Sequence, residues 1–203
     1  MTDITKKLFE KIASPGDINE HLLYLSNISS ECTTILECGV REVISSWAFL
    51  NGLLLNKSQT KLLHSCDLSR SPNIATLEKA CNNLNVDFRF YECSDLTIPF
   101  RIYDLIFIDT WHIYGHLKRE LELFSKMATK YIVMHDTEVD KIQGETIRNG
   151  WNALEQSRQT GIPVAEINRG LQPAIDEFLL AHPDWRVKVH FSHNNGLTVL
   201  ERV

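Results

Sequence analysis

Tyr103-Asp104-Leu105-Ile106-Phe107-Ile108-Asp109 is the stretch on which the reading of this chain turns. It is an unbroken apolar run between two acids, shorter than a buried helix. That reads as a strand covered on both faces. It ends on Asp109, and the polar Thr110-Trp111-His112 follows at once. Downstream, residues 115–127 carry Leu117, Leu121 and Phe124 on one face of a helix, and Tyr131-Ile132-Val133-Met134 is another short strand, closing on His135-Asp136-Thr137. Upstream, Thr33 to Gly39 and Lys61 to Asp67 are apolar runs that each end in polar or acidic residues. Residues 43–55 and 72–84 read as helices, the second opened by Ser71-Pro72. Val86 to Cys93 alternates like a strand and leads into Ser94-Asp95.

Short strands alternating with helices predict an α/β fold: a doubly wound, mostly parallel sheet with helices on both faces. Such sheets bind ligands outside the carboxyl ends of their strands, near the point where the strand order reverses. Here every strand end carries polar chemistry: Glu37 and Gly39, Asp67, Asp95, Asp109, then His135 and Asp136. Around this core, residues 3–12 and 17–29 look helical, the latter through Ile18, Leu22, Leu25 and Ile28. A polar region with two helical turns spans 138–170, a helix spans 171–182, and strands at 185–191 and 197–202 join through His193-Asn194-Asn195-Gly196. The expected organisation is one domain over 1–203: an N-terminal helical segment at 1–30, a core at 31–137, a lid at 138–170, and a helix and hairpin at 171–203.

Composition limits what such a domain does. The chain has 203 residues, one domain's length, and a net charge of −5, which argues against nucleic acid as the main partner. Its five cysteines are odd in number and show no C-x-x-C spacing, so they read as free thiols of a reducing compartment. The charged N-terminus is no signal peptide, and no apolar run approaches the ~20 residues of a membrane span. A cytoplasmic protein with no membrane partner is the expectation.

The ordered set Glu37-Cys38-Gly39, Asp67, Ser94-Asp95 and Asp109 resembles class I S-adenosylmethionine-dependent methyltransferases. ILECGVREVISSWAFLNGL, LHSCDLS, YECSDL, YDLIFIDTWHIYGHLKRELELF and YIVMHDT are similar to the branch of small sugar and antibiotic O-methyltransferases that includes cephalosporin-hydroxylase-like proteins. The closing PAIDEFLLAHPDWRVKVHFSHNNGLTVLERV fits the end of that branch, so the resemblance covers about residues 30–203. It implies a Rossmann-like seven-stranded sheet with an antiparallel last strand, S-adenosyl-L-methionine as cofactor, and methyl transfer to a hydroxyl of a sugar or glycan. By resemblance, Asp67 takes the ribose, Ser94 and Asp95 the adenine, and Glu37 the methionine ammonium. Gly39 lets the backbone approach the cofactor, and the backbone of Val40 and Arg41 folds over it. The usual glycine-rich turn is reduced to Gly39 alone, since 41–43 read Arg-Glu-Val.

For the chemistry, relatives place acids that hold a magnesium ion where this chain has Asp109, His135 and Asp136. Imidazole is a poor magnesium ligand and suits manganese better, so the set reads either as a divalent cation site (Mg or Mn) or as a hydrogen-bonded acid–base cluster. His112, three residues after Asp109, stands where relatives place a general base, oriented by Asp109, His135 and Asp136. Trp111 and Tyr114, with Arg148 and Trp151 from the lid, are the candidate acceptor contacts, and Arg169-Gly170 the lid's hinge. His116, Arg119 and Glu120 read as a solvated helix face. Two other functions stay open at this point: a metal-dependent hydroxylase or hydrolase built on the same Asp/His cluster, and a non-catalytic binding domain of the same fold. A homodimer, or a place within a larger glycan-synthesis protein, is equally open.

Overall fold

A computed structural model of the chain describes residues 2–203. Its centre is one seven-stranded sheet of β1 (Thr34–Cys38), β2 (Leu62–Asp67), β3 (Asp87–Glu92), β4 (Tyr103–Ile108), β5 (Ala128–His135), β6 (Trp185–Phe191) and β7 (Leu197–Arg202), in the order β3-β2-β1-β4-β5-β7-β6. The first five strands pair in parallel, and β7 lies antiparallel between β5 and β6. The order reverses between β1 and β4, which fixes where a ligand cleft opens.

Period-two alternation divides the core. Ile35, Leu105, Phe107 and Val133 face one layer, which is covered by α1 (Asp3–Ala13), α2 (Leu22–Ser29), α3 (Ser45–Leu55) and α4 (Ile74–Asn83). Leu36, Cys38, Ile106, Ile108 and Met134 face the other, under α5 (Tyr114–Phe124) and α9 (Gln172–Ala181). Because both faces are covered, β1 and β4 are almost wholly buried, which is why they read as continuous apolar runs.

Two regions depart from the sequence reading. The 17–29 stretch is not one helix: a 3₁₀ turn at Asn19–His21 leads into α2. The 138–170 segment holds three short helices, not two turns: α6 (Glu145–Arg148), α7 (Ala153–Thr160) and α8 (Val164–Ile167). They gather around a small core of Ile113, Ile162 and Ile167, with Trp111 and Ala153 against it. Among the described residues no helix is long and apolar enough to cross a membrane.

Candidate active site

Gly39, the residue after β1, opens the site. It has φ +84°, and a Cβ there would run into the Asp109 carbonyl, so only glycine fits between the ends of β1 and β4. The turn that follows is strained, with Arg41 at φ 39° and the β-branched Val43 at φ 62°. Such conformations cost of order 1–3 kcal/mol each and need a surround that enforces them. Asp67, at the end of β2, supplies it: its Oδ2 accepts the N–H of Val40 at 2.9 Å and of Arg41 at 3.1 Å. The carboxylate is half-buried and lines the cleft beside the turn it holds.

That cleft has a volume of about 670 Å³, within the range of small-molecule sites. Its wall includes Gly39, Arg41, Asp67, Ser94, Asp95 and Asp109, all expected from the sequence, together with Trp111, His112 and Trp151. Six expected residues lie outside that wall: Glu37, Val40, Tyr114, Arg148, and also His135 and Asp136, which sit behind Asp109 and His112. Glu37 points into the α3 layer, fully buried, and accepts hydroxyl hydrogen bonds from Ser45 at 2.6 Å, Ser46 at 2.7 Å and Ser65 at 3.0 Å. Strand alternation puts it on the face of Ile35, away from the ligand. Tyr114 turns its hydroxyl to Glu177 at 2.6 Å, on the α9 side, with Arg169 stacked 4.0 Å from its ring. Arg148 forks onto the fully buried Asp140 at 2.7 and 2.8 Å. Val40 is buried and contributes only its backbone N–H.

A buried group on α5 overturns the solvated-face reading. His116 donates from Nε2 to Asp95 Oδ1 at 3.2 Å, and the Thr110 hydroxyl donates to Glu120 at 2.6 Å. Burial, reinforced by Asp95, pushes the Glu120 carboxyl well above the usual carboxylate range. Burial works against charge on Asp95 as well, but the His116 hydrogen bond holds it below the usual carboxylate range. Asp95 Oδ2 is buried with no partner. Arg119 alone is exposed, in an ion pair with Glu166 at 2.8 Å. The available signal was spacing: residues 116 and 120 flank the apolar stripe of Leu117 and Leu121 and lie one turn apart.

The second half of the cleft centres on His112. Its Nε2 lies 3.2 Å from Asp109 Oδ1, and its Nδ1 lies 3.0 Å from Asp136 Oδ2, 3.5 Å from Asp140 and 3.7 Å from Glu145. The Asp136 contact is short but poorly aligned, and Nδ1 has no aligned partner. Burial disfavours charge on the ring, yet the Asp109 hydrogen bond and the nearby carboxylates of Asp136 and Asp140 outweigh it and push His112 well above the ordinary histidine range. A neutral ring would aim a lone pair at one of these carboxylates. His135 is fully buried, and its Nε2 reaches the backbone carbonyls of Asp17 at 3.0 Å and Asn194 at 3.3 Å. Its Nδ1 lies 3.4 Å from Asp109 without a well-aligned hydrogen bond. Asp136 adopts φ 56°, another left-handed residue at a strand end. Asp109, His112 and Asp136 each offer a ligand atom within 4.8 Å of the others, and Asp136 Oδ1 and His112 Nδ1 are buried without aligned partners. This donor set fits a divalent transition metal ion, with His112 in the place that the sequence reading gave to His135.

No protein-family model matches the sequence, and no curated protein matches it. Solved structures do match. An SAH-bound methyltransferase from Podospora anserina aligns over 100% of this chain and 89% of its own, at 15% identity and a TM-score of 0.57. A Corynebacterium glutamicum protein aligns over 100% and 91%, at 15% identity and a TM-score of 0.65. The O-methyltransferase of tomaymycin synthesis from Streptomyces achromogenes, solved with SAM, aligns over 100% and 91%, at 13% identity and a TM-score of 0.58. At these identities the likeness is one of fold: the chain has the Rossmann-like methyltransferase fold.

Proposed function

We propose that this chain is an S-adenosylmethionine-dependent O-methyltransferase acting on a hydroxyl of a sugar or glycan. One observation carries the reading. A single cleft is lined by Asp67 and Asp95 and by Asp109 and His112, with Asp136 against the His112 ring behind its wall. A methyl transferase needs these two halves side by side.

In this reading Asp67 accepts hydrogen bonds from the ribose hydroxyls, and Ser94 and Asp95 take the adenine amino group. The acceptor lies between Trp111 and Trp151, whose faces suit the apolar face of a sugar ring. Its oxygen attacks the sulfonium methyl in line. The O–C bond forms, the S–C bond breaks, and the hydroxyl proton passes to the neutral form of His112. Asp109 and Asp136 stabilise the imidazolium that results. Were a divalent cation held instead by Asp109, His112 and Asp136, the ring would be a ligand rather than the base, and the ion would supply Lewis acidity toward the acceptor hydroxyl.

The test is calorimetric titration with S-adenosylmethionine, followed by mass spectrometry of candidate glycosides for the gain of one methyl. Absence of binding would remove the methyltransferase reading. Binding with methylation of other hydroxyl compounds, but never of sugars, would remove only the acceptor.

A further inference from the structure

Cys66 is the last residue but one of β2, and Cys93 is the first residue beyond β3. Their sulfurs stand 4.0 Å apart, and the Cys66 thiol donates to the Cys93 carbonyl at 3.2 Å. Neither thiol has a part in the reaction above, yet both line the cleft alongside Asp67 and Asp95. The two differ in access: Cys93 is partly exposed, whereas Cys66 is buried. Burial and the adjacent Cys93 thiol also push Cys66 far above the ordinary thiol range. An oxidant therefore meets Cys93 first, with Cys66 directly beneath it. The Cys93 N–H donates to the Asp67 carbonyl at 3.0 Å, which keeps the end of β3 against β2. Cys93 stands two residues beyond Tyr91, the register partner of Cys66, so an S–S bond of about 2.05 Å requires the loop at Cys93 to draw in toward β2 as the side chains rotate.

The geometry points to Cys66 and Cys93 as a site of oxidative modification, where a peroxide closes a reversible disulfide across the floor of the cleft. The Cys93 thiolate takes one oxygen from hydrogen peroxide, breaking the O–O bond and releasing hydroxide, and becomes a sulfenic acid. The Cys66 sulfur gives up its proton and attacks the sulfenic sulfur. The S–S bond forms, the S–O bond breaks, and water leaves. In sum two thiols lose two electrons and two protons, and peroxide is reduced to two waters. The bond ties the end of β2, which carries Asp67, to the loop that carries Asp95. On the cofactor reading above, closure and cofactor binding oppose each other, and by linkage each weakens the other by the same factor.

The experiment treats the intact protein with hydrogen peroxide, quenches it with iodoacetamide, and maps its peptides. The expected result is loss of two of the five thiols, a mass lower by about 2 Da before alkylation, one cross-linked peptide pair joining Cys66 to Cys93, and full reversal by dithiothreitol. Cys93→Ser should keep all its remaining thiols under the same dose, and Cys66→Ser should stop at a sulfenic acid. Cys38, opposite Cys66 in the β1–β2 register and fully buried, is the competing partner. A disulfide to Cys38, or oxidation of Cys93 to sulfinic acid with no cross-link in the unsubstituted protein, overturns the proposal. Binding of S-adenosylhomocysteine, measured on oxidised and re-reduced protein, reports the consequence separately. If the reduced protein does not bind it, the cofactor reading falls while the disulfide result stands.

Discussion

Gly39 and Asp109 meet backbone to backbone: the residue that opens the nucleoside half of the cleft leaves no room for a side chain beside the carbonyl of the residue that opens its chemical half. The Asp109 N–H also donates to the Cys38 carbonyl at 2.8 Å, so the ends of β1 and β4 are locked in place together. Spacing between the two halves is thus set by bonded backbone rather than by flexible side chains.

Gly39→Ala is therefore expected to damage both halves at once. It combines a left-handed φ with a backbone collision, and should cost well over about 1 kcal/mol. Thermal unfolding would show a lower midpoint, and calorimetry a weakened affinity for S-adenosylhomocysteine. An unchanged midpoint would mean that the β1–β4 contact is looser than described.

Glu37 should make stability depend on pH in an unusual direction. Burial raises its folded carboxyl from 4.5 to about 7, against the three serine hydroxyls that favour the charged form. The folded state therefore binds the proton more tightly than the unfolded chain. Its contribution is greatest below pH 4.5 and is lost as pH rises toward about 7. Across that window the slope reaches at most ~1.4 kcal/mol per pH unit. Glu37→Gln should flatten it, as read by urea unfolding at pH 5, 6 and 7. A variant with the same slope as the parent would exclude Glu37 as the source.

The same residue shows where sequence legibility ends. Apolar runs, helix periods and the 193–196 turn sufficed for the sheet and its flanking helices, because a doubly covered strand can hardly be anything but apolar. The acids at the strand ends were equally plain. Which way each acid points is a matter of strand parity and of the helix packed over it, so Glu37 was read as a ligand contact when it is a core group. His116 and Glu120 failed in the opposite sense: polar residues at helical spacing look solvated until Asp95 is placed against them. The left-handed Arg41, Val43 and Asp136 leave no trace in composition, since tertiary contacts impose those angles.

For the nucleoside half, Asp67→Ala and Asp95→Ala should each weaken S-adenosylhomocysteine binding roughly tenfold to a hundredfold, the value of a hydrogen bond to a charged group. Asp67→Ala should also lower thermal stability more than Asp95→Ala, because Asp67 Oδ2 holds the strained turn through Val40 and Arg41. Calorimetry with unchanged affinity in the double variant would move the nucleoside elsewhere.

His112 sets the last expectation. Surrounded by Asp109, Asp136, Asp140 and Glu145, it holds its proton well above the usual histidine range. Only the neutral ring accepts a proton, so turnover should rise with pH through an apparent value higher than about 6.5. Asp140→Asn removes one of the charges that hold that proton, and should move the rise to lower pH while leaving cofactor affinity alone. His112→Ala should lower turnover by about 10²–10⁴-fold across the whole profile. A divalent cation bound through His112 would occupy the ring's lone pair, so the ring would be a ligand and the alkaline rise would no longer report it. EDTA then separates the two cases. If a cation shares the site, chelation abolishes turnover, added Mn²⁺ restores it, and Asp109→Asn and Asp136→Asn each lose the response to added metal. If turnover survives EDTA with an alkaline rise that Asp140→Asn shifts downward, His112 and its carboxylates work alone. Where no cation is bound, near-parental turnover in His112→Ala between pH 6 and 9 would exclude the ring as the base.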